Sequence, residues 1–363
     1  MKRWIVILVI LLITALLPGL WTGEVGGAER PVVTLRGELA HLSIDLAGGG
    51  IVDFHLLSNG INPLKWEGEG GELEPRNRGH FLCLDRVGRP SAAEQAKGMP
   101  FHGEAGNRMW ELLGEPERRG DAVVVEMSTH LPLAGMHVRR VVRLEGAHFS
   151  VREEVTNTNA LGRIYNIVQH PTIGPPFLDE STLVDANARK GFMLSSPMPN
   201  PEEPSVYWPQ ALNAGIPVDM RRLVDDQEPA VVVYVIDDEY GWTTATAPGH
   251  GLLLGYLWKT GEYPWFRAWR HIRNGRPFAR GLEFGTTGPG TPFGFLVKKG
   301  RIFDRTLFDY IDAGETISRS YAAFLVEVPN DFAGVEGIEY NGTQVELREW
   351  RGKRRLSFEI GSL

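Results

Sequence analysis

The chain has 363 residues, with 38 Lys and Arg against 45 Asp and Glu, a formal net charge of −7 and one cysteine. This mild acidity argues against a nucleic-acid partner, and a single cysteine rules out an intramolecular disulfide. Stability therefore has to come from a large apolar core, and a hydrophobic content of 42% is sufficient for one.

In chain order, Lys2 and Arg3 precede an apolar run from Ile5 to Leu17, and Gly26-Gly27-Ala28 offers small residues for cleavage. Residues 1–28 read as an export signal that is removed, placing the protein in the periplasm or outside the cell. The alternative is retention as an uncleaved N-terminal membrane anchor, although the run is short for a comfortable span. Residues 29–363 are expected to form a single domain, as β-rich units of this size often do.

From there the sequence reads as short runs rich in Val, Ile, Tyr and Phe, bounded by Gly, Pro, Asn or Asp. Cys83 lies in the apolar run FLCLD and reads as a small buried hydrophobe. Glu94 to Lys97 suit a short helical turn. The runs AVVVEMSTHL, HVRRVVRLEG, HFSVREEVTNT and RIYNIVQH follow, then AVVVYVID, GLLLGYLWK, PFGFLVKKG and SYAAFLVEV, all predicted strands. In the third, Phe149, Val151 and Glu153 share one face while Ser150 and Arg152 share the other. No run of twelve or more residues has helical period, so the expected class is all-β, a sandwich or barrel. The Pro-rich stretch from Ser195 to Pro209 is either a functional loop or a cover for a sheet edge. The tail from Asn341 reads as a final hairpin.

HExxH, paired CxxC, the GxSxG elbow, a phosphate loop and a dinucleotide fingerprint are all missing from the sequence. The remaining tools are His, Glu, Asp, Arg and Tyr, which suit proton transfer and sugar chemistry. Three segments concentrate them. In PFHGEAGNRMWEL, Arg108 offers a planar fork of donors and Trp110 a face for a sugar ring, beside His102 and Gly103. The alternative is a loop anchored to the core by its Trp. In VREEVTNTNALGRIYNIVQHPTIGPPFL, His170 ends a predicted strand, and Pro171 restricts its backbone to extended geometry. In YPWFRAWRHIRNGRPFARGLEFGTTGPG, aromatics including Trp265 and Trp269 alternate with Arg267, Arg270, Arg273, Arg276 and Arg280, and Glu283 follows between glycines. Most of these arginines read as a solvated strand face. Glu283 reads as a general base or as half of a salt bridge within the sheet.

These segments, in this order, resemble the galactose mutarotase-like superfamily, which includes the aldose 1-epimerases. FHGEAGNRMWEL is similar to the family's His-Gly segment, which reads like HGFARxRPW in the hexose-6-phosphate mutarotase branch. EVTNTN, followed thirteen residues after Asn157 by His170-Pro171, is similar to its strand-turn-strand before the catalytic His-Pro. RGLEFGTTG is similar to its late strand with the catalytic glutamate. The resemblance implies a large antiparallel β-sandwich with a sugar cleft on one concave sheet, and carbohydrate as the partner. It assigns Glu283 as general base, His170 as general acid and His102 as a second histidine near the ring oxygen; anomer exchange by these groups needs no cofactor, and no ligand spacing in the sequence demands a metal. Gly106 stands where the sugar-phosphate branch has Arg, and Thr172 and Ile173 stand where aromatics are usual.

Three functions follow as expectations. The first is an aldose 1-epimerase, interconverting anomers by acid–base ring opening. It requires His170 and Glu283 to face each other across one cleft, close enough to bracket a sugar ring. The second is a non-catalytic carbohydrate-binding protein using Trp110, Trp265, Trp269 and Arg270 as a platform. The third is a lyase or hydrolase of an acidic polysaccharide.

Overall fold

A computed structural model describes residues 29–363 except 198–199, 214 and 223–229. The export signal expected at 1–28 lies outside the described residues. No helix among the described residues is long and apolar enough to cross a membrane.

Two antiparallel sheets pack face to face, as the large β-sandwich expectation requires. The local cause is period-two patterning. Along Met136–Glu145 and His148–Asn157 every second side chain is buried, and the two strands pair along their length through the Gly146 turn. Most inward positions are Val, Leu, Met and Phe. Two are charged, Arg140 and Glu153, which sit directly opposite each other across the pair and form an ion pair of 2.7 Å. Gln169 of the facing sheet donates to the other Glu153 oxygen at 2.6 Å, so this pair ties the sheets together in the interior.

The sheet that carries His170 and Glu283 runs, in spatial order, through His80–Asp85, Arg163–Ile173, Arg276–Gly285, Trp265–Arg273 and Ala230–Ile236 at its centre. The opposite sheet has Thr316–Glu327 and His148–Asn157 at its centre. On its outer face lies a separate three-stranded sheet, Val335–Tyr340, Gln344–Glu349 and Arg355–Glu359, packed through Val335, Val345 and Leu347 against Trp242, Leu257 and Phe324. The tail is thus a hairpin joined by a third strand.

Two sequence expectations change here. The predicted strand at 292–300 is the helix Phe293–Lys299, closed by Gly300, whose N–H returns to the Leu296 carbonyl at 2.8 Å. Phe293 and Leu296, three apart, both reach a cluster with Phe192 and Trp265, a spacing that suits a helix and that a short apolar run does not reveal. His170 is not at the end of its strand: Arg163–Ile173 continues through Pro171. Proline interrupts the pairing without ending it. The ladder to the Glu283 strand pairs Val168 with Gly285 and Gln169 with Phe284, skips two positions, and resumes at Thr172 with Gly281. The described part of the Pro-rich excursion adds a short edge strand, Val206–Tyr207, on Lys190–Gly191, which fits the edge-cover reading.

Candidate active site

Register places the site. Phe81 pairs with His170 on one side, and on the other the ladder puts Glu283 opposite His170, Arg267 opposite Glu283 and Val233 opposite Arg267. Residues directly opposite in adjacent strands share a face, so Phe81, His170, Glu283 and Arg267 form one row across four strands. Each of the four is nearly fully buried at the floor of a cleft of about 740 Å³.

Within the row the contacts are specific. Arg267 Nε donates to Glu283 Oε2 at 2.7 Å, and its Nη1 donates to the Gly288 carbonyl, which fixes the guanidinium. The other carboxylate oxygen, Oε1, lies 3.3 Å from His170 Nε2. His170 Nδ1 lies 3.0 Å from the Thr172 hydroxyl, and the Phe81 ring stacks on the imidazole at 4.2 Å and 21°. With a carboxylate facing Nε2, that nitrogen carries the proton and Nδ1 accepts from Thr172. Two residues along from Glu283, Gly281 keeps space open: a Cβ there would lie 3.0 Å from Glu283 Oε1.

His102 enters from a loop with φ of 68°, a left-handed backbone that is uncommon for a non-glycine residue, and Gly103 follows at 79°. Gly88 secures it twice, since the Gly88 carbonyl accepts from the His102 N–H at 3.0 Å and the Gly88 N–H donates to His102 Nδ1 at 3.1 Å. An accepting Nδ1 leaves the proton of the neutral ring on Nε2. The His102 and His170 rings are 5.3 Å apart. Cys83 Sγ lies 3.5 Å from His102 Nδ1, and burial pushes its thiol well up, so it is not a thiolate nucleophile.

Electrostatically the histidines are neutral. Burial, reinforced by the Arg267 charge, lowers the His170 pKa to about 3. Burial and the neighbouring His170 lower His102 well below its ordinary value, and burial lowers His80, behind the row in the sandwich interior, in the same direction. In the unfolded chain His170 titrates near pH 6.5. Between about 6.5 and about 3 the unfolded state therefore holds a proton that the folded state lacks. Stability is full above that window and falls with decreasing pH through it, by about 1.4 kcal/mol per pH unit for this one group. Thermal unfolding at neutral pH and at about pH 5 is expected to show a clear drop in Tm on acidification. An unchanged Tm would mean that these rings are not held neutral by burial.

Of the eight residues expected at the site, four meet in the cleft: His102, His170, Glu283 and Trp269. The Trp269 ring is 6.1 Å from His170 and 5.8 Å, edge on, from Trp66. The other four do not line it. Trp110 lies between the sheets, donating to the Ala105 carbonyl at 3.0 Å and covering the Arg140 guanidinium. Trp265 shares the cleft face of its strand but is roofed by the Phe293–Lys299 helix, with Nε1 donating to the Thr306 carbonyl at 3.1 Å. Arg270 points inward and is buried, and Arg108 pairs with Glu104 at 2.9 Å outside the cleft. Nor are the arginines mainly a solvated face, because Arg267, Arg270 and Arg280 are all buried.

Sequence reasoning missed Arg267, Phe81, Trp66 and Thr172 as parts of the site. Thr172 was noted only as a missing aromatic, yet its hydroxyl is the partner of His170 Nδ1 at 3.0 Å. For His170 and Glu283 the expected separation also differs. They share one cleft but touch, rather than standing apart on either side of a ring. Among the described residues no group of three or more His, Cys, Asp or Glu side chains is placed to hold a metal ion.

No protein-family model matches the sequence, and no curated protein matches it. Solved structures do share the fold. A galactose mutarotase-like protein from Clostridium acetobutylicum aligns with a TM-score of 0.61 at 13% identity, covering 83% of this chain and 96% of that one. A candidate aldose 1-epimerase from Escherichia coli K12 aligns at 0.60 and 15% identity, covering 83% of this chain and 100% of that one. A galactose mutarotase related enzyme from Lactobacillus acidophilus aligns at 0.58 and 12%, covering 82% and 98%. The chain therefore has the galactose mutarotase-like β-sandwich fold.

Proposed function

We propose that the protein is an exported aldose 1-epimerase, catalysing anomer exchange of a reducing sugar in the cleft above Glu283. The observation that carries this reading is the 3.3 Å contact between Glu283 Oε1 and His170 Nε2 at the floor of that cleft. Ring opening moves one proton from the C1 hydroxyl to the ring oxygen, and both oxygens are bonded to C1. Two groups in contact can therefore serve both oxygens from one side, without bracketing the ring.

In this scheme the carboxylate accepts the C1 hydroxyl proton while the C1–ring oxygen bond breaks and the C1 carbonyl forms. The neutral His170 keeps its Nε2 proton and donates a hydrogen bond to the ring oxygen as negative charge grows there, the role a pKa-lowered imidazole fills as an electrophile. The protonated carboxyl then delivers the proton to that oxygen. Rotation about C1–C2 and the reverse sequence give the other anomer, with no net gain or loss of protons. The low pKa thus recasts His170 from a charged acid to a neutral donor. His102, with its proton on Nε2, is a second donor, and Trp269 offers a face for the sugar ring. The 3.3 Å contact is long for a charge-assisted bond, so a sugar oxygen can compete for it.

Of the arginines that suggested the acidic-polysaccharide reading only Arg267 lines the cleft, where Glu283 engages it, although Arg76 and Arg89 also line it. NMR exchange spectroscopy on a panel of free aldoses and uronic acids tests the proposal. Enzyme-dependent exchange of at least one sugar is expected. Saturable binding without exchange would leave a sugar-binding protein instead.

A further inference from the structure

A second large concavity, sharing no lining residue with the first, lies where the strand Arg355–Glu359 meets one end of the sandwich. It has a volume of about 1130 Å³, and one wall is the whole of Arg355–Glu359. Among the described residues that strand pairs with Gln344–Glu349 on one side only, and it is the edge of its sheet.

The pairing phase identifies which backbone groups are free. Ile360 N–H bonds to the Thr343 carbonyl and Glu349 N–H bonds to the Arg354 carbonyl. In this register the hydrogen-bonded pairs fall at positions 354, 356, 358 and 360, so the N–H and C=O groups of Arg355, Ser357 and Glu359 point away from the partner strand. Such an edge is a template for another strand. The groove beside it also offers apolar contact, since Leu39 and Leu57, 59% and 49% exposed, both line it. Its charge is one-sided. Among the described residues Glu38, Asp121, Glu145, Glu327 and Glu359 line it against one lining guanidinium, Arg355, which is paired with Glu346; Arg143 pairs with Glu145 at 2.7 Å and Arg118 lies 3.7 Å from Glu38, so the acidic excess rests mainly on Asp121, Glu327 and Glu359.

We infer that this groove binds an extended basic segment of a partner protein, which adds a strand to the free edge of Arg355–Glu359. Main-chain bonds to Arg355, Ser357 and Glu359 supply the register, alternate apolar side chains reach Leu39 and Leu57, and Lys or Arg side chains meet the carboxylates. This site is independent of the proposed epimerase reaction.

Fluorescence anisotropy with a labelled peptide of alternating Lys and Val, and a matched Glu and Val peptide, tests it on the full chain. Saturable binding of the Lys peptide alone is expected, weakening as salt rises. Ser357→Pro removes an outward N–H and sets a ring in the path of the incoming strand. An edge strand accommodates proline where its N–H faces out. This variant is expected to lose affinity by about tenfold or more, whereas Ser357→Ala should bind as wild type does. Glu145→Lys combined with Glu359→Lys, both at the surface, should weaken binding comparably without touching the backbone. No saturable binding, or binding that survives both Ser357→Pro and the charge reversal, overturns the inference. So would a wild-type dimer in sedimentation that Ser357→Pro dissociates, since the occupant would then be a second copy of the chain.

Discussion

Glu283→Gln is expected to lower enzyme-dependent anomer exchange by about 10²- to 10⁴-fold, the usual contribution of a positioned proton-transfer group. Glutamine keeps the size and planarity of the side chain, and its amide oxygen can still accept from Arg267 Nε, now held at 2.7 Å. It cannot take the C1 hydroxyl proton. The substitution thus separates proton transfer from cleft shape, and a small change in KM beside a collapsed kcat is the expected pattern. Because Arg267 is only 3% exposed and loses its counter-charge, the variant should also be less stable, and the rate has to be taken per folded molecule. If wild type and variant exchange equally fast, Glu283 is not the base and the proposed mechanism fails.

Arg140→Met is expected to have the largest effect on stability. Arg140 and Glu153 are 2% and 1% exposed, so the substitution leaves a carboxylate stranded between the two sheets. Removing one member of a buried ion pair typically costs about 3–5 kcal/mol. The loss extends further, because the guanidinium also donates to the Gly49 carbonyl and lies against the Trp110 ring. Urea unfolding should show a much lower midpoint with an unchanged slope. Replacing both partners, as in Arg140→Met with Glu153→Leu, should recover much of the loss, since no charge is then left unpaired. A single substitution costing less than about 1 kcal/mol would show that water reaches the pair. The result bears on the site as well, because Gln169, which bonds Glu153, is the chain neighbour of His170.

Some of this was legible in the residues themselves. The alternation in His148–Asn157 correctly assigned Phe149, Val151 and Glu153 to one buried face, because a strand's period is fixed by its backbone. Cys83 in FLCLD is buried as read. His102, His170 and Glu283, far apart in the chain, do meet in one cleft.

The aromatic platform was less legible. Trp110, Trp265 and Trp269 look alike in sequence, yet only Trp269 reaches the cleft. Trp265 has the correct parity and is excluded by the helix that covers it, whose own seven residues read as a strand. Arg267 shows the limit most clearly. Counting outward from Arg273 opposite Arg276 in an unbroken hairpin would set Glu283 opposite Phe266. A register shift between His271 and Ile272 moves it opposite Arg267 instead. One extra residue in one strand changes which side chains share a face.

The sequence by itself therefore determined the strand class and the three segments that bring His102, His170 and Glu283 to one cleft, because backbone periodicity and side-chain chemistry are local. Only the tertiary structure decided that burial lowers the His170 pKa, that this ring touches Glu283, that Arg267 and Thr172 hold the pair, and which of the three tryptophans lines the cleft. Those properties depend on desolvation, on register across separate strands and on what packs over each face, and none of them is a property of a single segment.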